Sequence, residues 1–392
     1  MLISVMVIDS STLVLAANSN FNFSYAPGTS LEQMIGFEMA GGVWSNNLAD
    51  SVTVNIYVET TDQLPKYVIS GALPAIQANQ SYETWRNKLK NDLTSADDNL
   101  AFKNLQSDEQ FTALSNGQTT DENEQLNMTR ANAKALGMRD SNDSMLDGYI
   151  LINNLSSQPV EWNYDFLNNT VPSNTVDLLS VAIHEIGHNL GFVSGVDEPG
   201  FLINVLDDDD DDGDDDENEE LHVTSLDIFR YSTKSASAGA IDMSVGGNPF
   251  FSIDSGKTVL GYFSTGENTS LGGDGYQASH WKQQDNPLGI MDPLLRPGQR
   301  RDILMLDKQV MDVIGWNLHS GETDLATLYN QAKARLAQRL GKTVEWLDAN
   351  PIEAASLLTQ DRTLDVQTMI DQSKVYNWRG GSGSGWWQNG LF

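Results

Sequence analysis

The chain has 392 residues, of which 40% are hydrophobic and 8% aromatic, so it can bury a core of ordinary size in one large domain or two smaller ones. Its formal net charge is −31 with only 23 Lys and Arg residues, which argues against a nucleic acid or an anionic membrane as partner, because both need clustered basic side chains. Cysteine is absent, so a metal site must be built from His, Asp, Glu or carbonyl ligands.

The first 19 residues, MLISVMVIDSSTLVLAANS, are mostly apolar and end in small residues. Asp9 interrupts the apolar run, and the first basic residue is Lys66, so the positive start of a secretory signal is missing. We interpret residues 1–19 as a weak or truncated signal or leader, which favours a secreted, extracellular protein, with a plain N-terminal strand as the alternative. No apolar run approaches the ~20 residues that span a bilayer, so no membrane partner is expected.

Residues 20–191 predict an N-terminal subdomain in which strands and helices alternate. FNFSYA (21–26) and SVTVNIYVET (51–60) alternate like strands, and Ser30 is an N-cap candidate for the amphipathic helix between them. Residues 81–146 are polar, and their pattern predicts a mostly helical insertion over the sheet.

Two further strands, DGYILINNL and VEWNYDF, precede the helix VDLLSVAIHEIGHNLG. We expect this helix to begin after Pro172, with Ser173 or Asn174 as its cap, and to end at Gly191 in a left-handed stop. Together these patterns predict an α+β fold: a twisted mixed sheet with two long helices beside a cleft.

Residues 192–316 predict an irregular C-terminal subdomain, rich in glycine, that closes with a helix over RDILMLDKQVMDVIGW. Its acidic run at 206–220 must repel itself, so we expect a solvated loop there, with Ca²⁺ binding as the alternative. Residues 317–392 predict a helical extension that ends in the flexible tail RGGSGSGWWQNGLF.

The stretch HEIGHNLGF, residues 184–192, holds two of the five histidines. Residues four apart share one helix face, so His184 and His188 can bind one ion, while Glu185 beside them can act as general base and acid on a water molecule. This is the pattern of a zinc hydrolase. Two surface histidines on a helix are the non-functional alternative, and His222 and His319 are both expected at the surface.

A catalytic zinc site needs a third protein ligand, and the residues leave its identity open. Ser194 stands where a compact three-histidine motif would place the last histidine, and serine binds zinc poorly. Asp197, with Glu198 beside it, is a nearby carboxylate candidate. The better candidate, His280, lies far downstream in SHWKQQDNPLGIMDP, where it is followed by Met291 in a tight-turn context.

The order HExxHxxGF, a long insertion, a histidine and a methionine turn resembles the leishmanolysin-like branch of the metzincin zinc endopeptidases. ASHWK, GIMDP and DVIGWNL resemble a group of bacterial secreted metalloproteases of that type. The resemblance implies Zn²⁺ held by His184, His188 and His280, with Glu185 catalytic and Met291 in a Met-turn (289–293) as the structural floor of the site. No tyrosine follows Met291 where some metzincins have one, so one oxyanion stabiliser of that family is missing.

The predicted function is hydrolysis of peptide bonds in a protein or peptide substrate, and the resemblance implies that this substrate pairs with an edge of the N-terminal sheet. Two alternatives remain open. One is an inactive zinc-containing binding or adhesion protein, and the other is a zinc amidase that acts on non-protein amides.

Overall fold

A computed structural model describes residues 19–65, 67–107, 109–115, 117–197, 222–319, 321 and 324–373. The expected leader (apart from residue 19), Glu198, the acidic run at 206–220 and the Gly/Ser-rich tail lie outside these residues. The fold is mixed α+β with several sheets, as the alternating patterns predict.

The described strands, in chain order, are Asn20–Tyr25 (β1), Thr53–Thr61 (β2), Ser70–Pro74 (β3), Ile76–Ser81 (β4), Phe111–Ser115 (β5), Gln118–Asn123 (β6), Gln125–Thr129 (β7), Gly148–Asn153 (β8), Glu161–Asn163 (β9), Thr175–Asp177 (β10), Arg230–Tyr231 (β11), Ile241–Asp242 (β12), Phe250–Phe251 (β13) and Gly261–Tyr262 (β14). The described helices are Leu31–Ser45 (α1), Tyr82–Asp92 (α2), Ala96–Asn104 (α3), Arg130–Ala135 (α4), Leu178–Leu190 (α5), Thr233–Ser237 (α6), Met305–Val313 (α7), Leu325–Arg339 (α8), Val344–Ala349 (α9), Pro351–Leu358 (α10) and Thr363–Gln372 (α11).

The central sheet has the strand order β1-β2-β8-β3. The first three strands are parallel, with Phe23 opposite Ile56 and Val58 opposite Ile150, and β3 closes the sheet antiparallel to β8. The sheet is therefore mixed, as expected, and β3 is its edge strand on the side of α5.

Strand alternation directs two sets of side chains to the two faces of this sheet. On one face, Val54, Ile56 and Ile150 join the large core that contains the side chains of α1 and α5. On the other face, Tyr57 and Tyr149 pack with a smaller cluster. The two long helices predicted from the sequence thus share one face of the sheet.

Helix α1 begins as the sequence predicts. Ser30 is its N-cap, and the Ser30 hydroxyl accepts from the backbone N–H of Gln33, whose side chain accepts in turn from Ser30 N. This reciprocal capping box satisfies two N–H groups that the first turn would otherwise leave without a partner.

The prediction for residues 81–146 is only partly correct. Helices α2, α3 and α4 lie in this range, but so do the strands β5, β6 and β7. Residues LNMTRANAKALG, a helix-like stretch in this range, divide at Thr129 into the end of β7 and the short helix α4. Thr129 is the N-cap of that helix, which explains the change of backbone conformation at this residue.

The helices after residue 324 pack on the rest of the chain. Leu328 of α8 lies against the backbone of α1 at Gly42, and Arg335 pairs with the buried Glu38 of α1 at 3.2 Å. Gln360 N donates to Tyr25 O at 2.8 Å. The C-terminal extension, residues 317–392, therefore covers the outer edge of β1 at this point. Side chains of α11 complete the smaller cluster on the second face of the sheet.

The described residues contain no helix that is both long enough and apolar enough to cross a membrane.

Candidate metal centre

Helix α5 carries the HExxH motif through the core. All of its residues are buried, and its N-cap is Asp177, whose carboxylate accepts from Ser180 N at 3.1 Å. The expected cap at Ser173 or Asn174 is wrong, because Thr175–Asp177 pair with β9 as a short strand and delay the helix. The predicted stop is correct: Gly191 has φ of +128°, which favours glycine.

His184 and His188 stand one turn apart on α5, and their Nε2 atoms are 3.1 Å apart. Two nitrogens bound to a tetrahedral zinc ion, each at about 2.0–2.1 Å, are separated by about 3.4 Å. The spacing that the sequence predicts is therefore present in a form that one ion can bridge.

The structure brings His280 to the same place. Ligand atoms of His184, His188 and His280 all lie within 4.8 Å of one another, and the three residues are buried. The segment that carries His280 is held by its backbone, since His280 O accepts from Ser264 N at 2.9 Å and Trp281 N donates to Met291 O at 2.9 Å.

The three imidazoles are oriented by backbone carbonyls. The Nδ1 atom of His184 lies 2.7 Å from Ile290 O, that of His188 lies 2.8 Å from Phe192 O, and that of His280 lies 3.1 Å from Gln277 O. A carbonyl can only accept, so each Nδ1 carries the proton and each Nε2 presents a lone pair. This arrangement fixes the tautomer that a metal ion requires.

Burial also keeps these rings neutral. It lowers the pKa of His188 to about 4, and it holds the pKa of His184 and His280 well below the ordinary value, with the charges of neighbouring histidines adding to the effect. A neutral imidazole is the form that binds a metal ion, so the site is ready for a cation at neutral pH.

Glu185 is fully buried beside the histidines. Ser70 Oγ, on the edge strand β3, donates to Glu185 Oε1 at 2.5 Å, and Glu185 Oε2 has no hydrogen-bond partner in the described part of the chain. Burial raises the pKa of Glu185 to about 8, and the hydrogen bond from Ser70 opposes this rise. A cation bound by the neighbouring histidines would favour the ionised carboxylate.

Met291 is fully buried under α5. A Cβ atom added at Gly187 would lie 2.5 Å from Met291 Sδ, so the methionine occupies the space that a side chain at Gly187 would need. Met291 therefore packs directly against α5 between His184 and His188, and Gly187 allows this close approach.

The other candidates have structural roles. Both carboxylate oxygens of Asp197 accept backbone N–H groups, from Glu267 at 2.8 Å and from Ala278 at 2.5 Å, and Asp197 is outside the histidine cluster. Ser194 Oγ donates to the buried Asp227 at 2.6 Å. His222 is 8% exposed, so its expected surface position is wrong, whereas His319 is partly exposed.

A cavity of about 310 Å³ opens beside His184 and Glu185. Apolar side chains form most of its wall, and Arg301, paired with Asp292 at 2.7 Å, lies at its border. The apolar wall includes Ile69, Val160, Val176, Leu294 and Leu295. The histidine cluster therefore adjoins a space that can take an apolar group.

Sequence reasoning did not identify Ser70. VISGALP, residues 68–74, contains β-branched residues that favour a strand, but nothing in that run places its serine beside a glutamate 115 positions later. Only the pairing of β3 with β8, which puts β3 next to α5, makes the contact.

Compared with known proteins, the chain matches no family model, no curated protein and no solved structure.

Proposed function

We propose that this protein is a zinc-dependent endopeptidase, related in its active-site plan to the leishmanolysin-like metzincins. The observation that carries the proposal is that three buried, neutral histidines lie close together. Glu185, on the same helix α5 as His184 and His188, lies beside them. The proposed zinc site consists of these three imidazoles, which leaves the fourth position of a tetrahedral ion for water or substrate.

The donor set fits zinc. Three Nε2 atoms with fixed tautomers are the ligand set of catalytic zinc sites, and a set without carboxylates is poor for Ca²⁺ or Mg²⁺. When bound there, zinc would polarise the scissile carbonyl and make a water molecule more acidic.

Glu185 provides the proton transfer. Ser70 fixes one carboxylate oxygen, and the other is available to take a proton from the attacking water and to deliver it to the leaving amine. Ser70 thereby limits the orientations that this carboxylate can adopt, which favours a defined path for the proton.

The surroundings suit a peptide. Strand β3 ends the central sheet beside α5, and Ser70 at its start lines the cavity beside Glu185. We infer that a peptide in extended form lies along this end of the strand, where backbone hydrogen bonds can hold it. The cavity next to His184 then offers an apolar wall to one substrate side chain. We infer a preference for a large apolar residue beside the cleaved bond.

The test compares the wild type with Glu185→Ala, using zinc content and casein hydrolysis as readouts. We expect Glu185→Ala to keep stoichiometric zinc and to lose at least 10²-fold in activity, since general acid–base catalysis contributes about 10²–10⁴-fold. Glu32→Ala, at an exposed position in the first turn of α1, is the matched control and should behave as the wild type.

The same experiment separates the alternatives. A zinc-loaded wild type that leaves casein intact but cleaves small non-peptide amides would identify an amidase. A zinc-loaded wild type that cleaves neither, and that Glu185→Ala does not change in any assay, would identify a binding protein.

A further inference from the structure

Asp307 is a fully buried carboxylate near the start of α7, outside the residues assigned so far. Four N–H groups donate to it. Oδ1 accepts from Trp281 Nε1 at 2.9 Å and Met291 N at 3.3 Å, and Oδ2 accepts from Ile290 N at 2.8 Å and Leu304 N at 2.7 Å. Each oxygen thus joins two different parts of the chain.

Two of these contacts lead to metal ligands through one residue each. Ile290, which donates its N–H to Asp307, uses its carbonyl to accept from His184 Nδ1 at 2.7 Å. Trp281, which donates its indole N–H to Asp307, directly follows His280. A third contact holds the backbone of Met291 under α5.

Capping of α7 explains only one of the four bonds. The contact from Leu304 N is the ordinary reach of a side chain at the third helical position back to the N-cap. The contacts from Trp281, Ile290 and Met291 come from the two loops of the metal centre, and a helix cap does not need them.

The fit around the carboxylate is close. A Cβ atom at Gly289 would lie 2.1 Å from Asp307 Oδ1 and 2.2 Å from Oδ2, so the turn before Met291 packs its backbone directly on this group. A longer side chain at 307 would displace the turn, and an amide would match only part of the donor pattern.

We propose that Asp307 is a positioning residue of the metal centre, which sets the third ligand segment and the Met-turn relative to α5 through Trp281 and Ile290. This inference rests on the metal-binding part of the proposed function and is independent of peptide hydrolysis. Residues that orient ligands in this way typically change metal affinity by about 10–100-fold when they are mutated.

The test is zinc affinity, measured by chelator competition, in Asp307→Asn. The amide can accept at its oxygen, but its NH₂ group faces two N–H donors, so these lose their acceptor. We expect zinc affinity to fall about 10–100-fold and the visible spectrum of the Co²⁺-loaded protein to change. Asp312→Asn is the matched control: Asp312 is also buried on α7, but its hydrogen bond comes from Ser95, and both readouts should stay as in the wild type.

A second variant guards against misfolding of Asp307→Asn. Trp281→Phe removes one donor and keeps an aromatic ring on Phe263, whose centroid is 5.0 Å from that of Trp281. We expect a loss of zinc affinity toward the lower end of the same range, and a double variant with Asp307→Asn that loses less than the product of the two single effects.

Unchanged zinc affinity and Co²⁺ spectra in both Trp281→Phe and Asp307→Asn would overturn the inference and leave Asp307 as a helix cap. A wild type that binds no zinc would overturn the proposed function together with it. A wild type that binds zinc, is weakened by Asp307→Asn and cleaves no peptide would refute only the peptidase.

Discussion

The proposed third ligand is the residue on which the candidate metal centre depends. His280 can offer Nε2 because its Nδ1 donates to Gln277 O, whereas Asp197 has both oxygens engaged by the backbone N–H groups of Glu267 and Ala278. An oxygen used in this way would have to give up a buried hydrogen bond to reach an ion. The geometry therefore favours His280.

We predict that His280→Ala loses zinc on dialysis, because two histidines remain where a catalytic site needs three protein ligands. Asp197→Ala should keep one zinc per chain and melt at a lower temperature, since two buried N–H groups lose their acceptor at about 1–3 kcal/mol for each. Zinc analysis together with thermal unfolding checks both. Zinc retained in His280→Ala and lost in Asp197→Ala would contradict the assignment.

Whether a residue of the site can be predicted from the sequence depends on how far it lies along the chain from the other residues of the site. His184, Glu185 and His188 lie within one helical turn and a half, so helix periodicity alone places them together. His280 follows from the resemblance and not from spacing. Ser70 and Asp307 are found only in the structure, because sheet pairing and loop packing bring them to the site.

At the scale of elements, the start of α5 is held by a buried ion pair. Arg300 contacts Asp177, the N-cap of α5, with Nε at 3.1 Å from Oδ2 and Nη2 at 2.7 Å from Oδ1. Its remaining N–H groups donate to the carbonyls of Asp165, Phe166 and Asn168. The side chain of Asp177 is 0% exposed and that of Arg300 is 8% exposed. One guanidinium thus ties the chain after the Met-turn to the helix that carries the histidines.

We predict that Arg300→Gln lowers the free energy of unfolding by about 3–5 kcal/mol, because it leaves the carboxylate of Asp177 buried without its cation. Urea unfolding of the zinc-free protein measures this. Arg296→Gln, at an exposed position four residues earlier, should stay within about 0.5 kcal/mol of the wild type. Equal losses in the two variants would show that the buried pair contributes nothing beyond surface charge.

Long elements are predictable and short ones are not. Periodicity predicts α1, β2, β8 and α5, because each repeats its apolar pattern over six or more residues. Strands β11, β12, β13 and β14 have two residues each, which is too few for a period to be visible. The predicted start of α5 is too early for a related reason. Strand β10 has only three residues and precedes the helix directly, so its pattern is not distinguishable from the first turn of the helix.

At the scale of the whole molecule, the mixed α+β class follows from the sequence, but the placement of the C-terminal helices does not. An amphipathic pattern in α11 predicts a buried face without saying what covers it. In the structure that face meets Tyr57 and Tyr149 on the second side of the central sheet. The extension is thus part of the packing of the sheet.

Several of the chain's many acidic side chains lie close together where α2, α3 and α7 meet. Asp92 and Asp312 lie there with Asp50 and Asp98 nearby, and Asn317 donates to Asp50 and Asp92. Burial raises the pKa of Asp92 and of Asp312 to about 7. The charges of Asp50, Asp98 and Asp312 add to the rise at Asp92, and those of Asp98 and Asp97 add to it at Asp312. The folded state therefore binds protons here that the unfolded chain has already released.

This sign determines the dependence of stability on pH. A carboxylate whose pKa is higher in the folded state makes the protein less stable as the pH rises from the unfolded value near 4 through the folded value near 7. We predict that Asp92→Asn/Asp312→Asn is more stable than the wild type at pH 8, and that the gap narrows as the pH falls to 5. The amide oxygens can still accept the bonds from Asn317 and Ser95.

The measurement is urea unfolding of the zinc-free proteins from pH 5 to pH 8, analysed as the difference between variant and wild type. The histidines of the metal centre titrate in the same way in both proteins, so their contribution cancels in the difference. Asp121→Asn/Asp302→Asn removes the same formal charge from exposed positions and should give a much smaller, pH-independent gap. If that control matches the double variant at every pH, the effect belongs to the net charge of −31 and not to the junction of α2, α3 and α7.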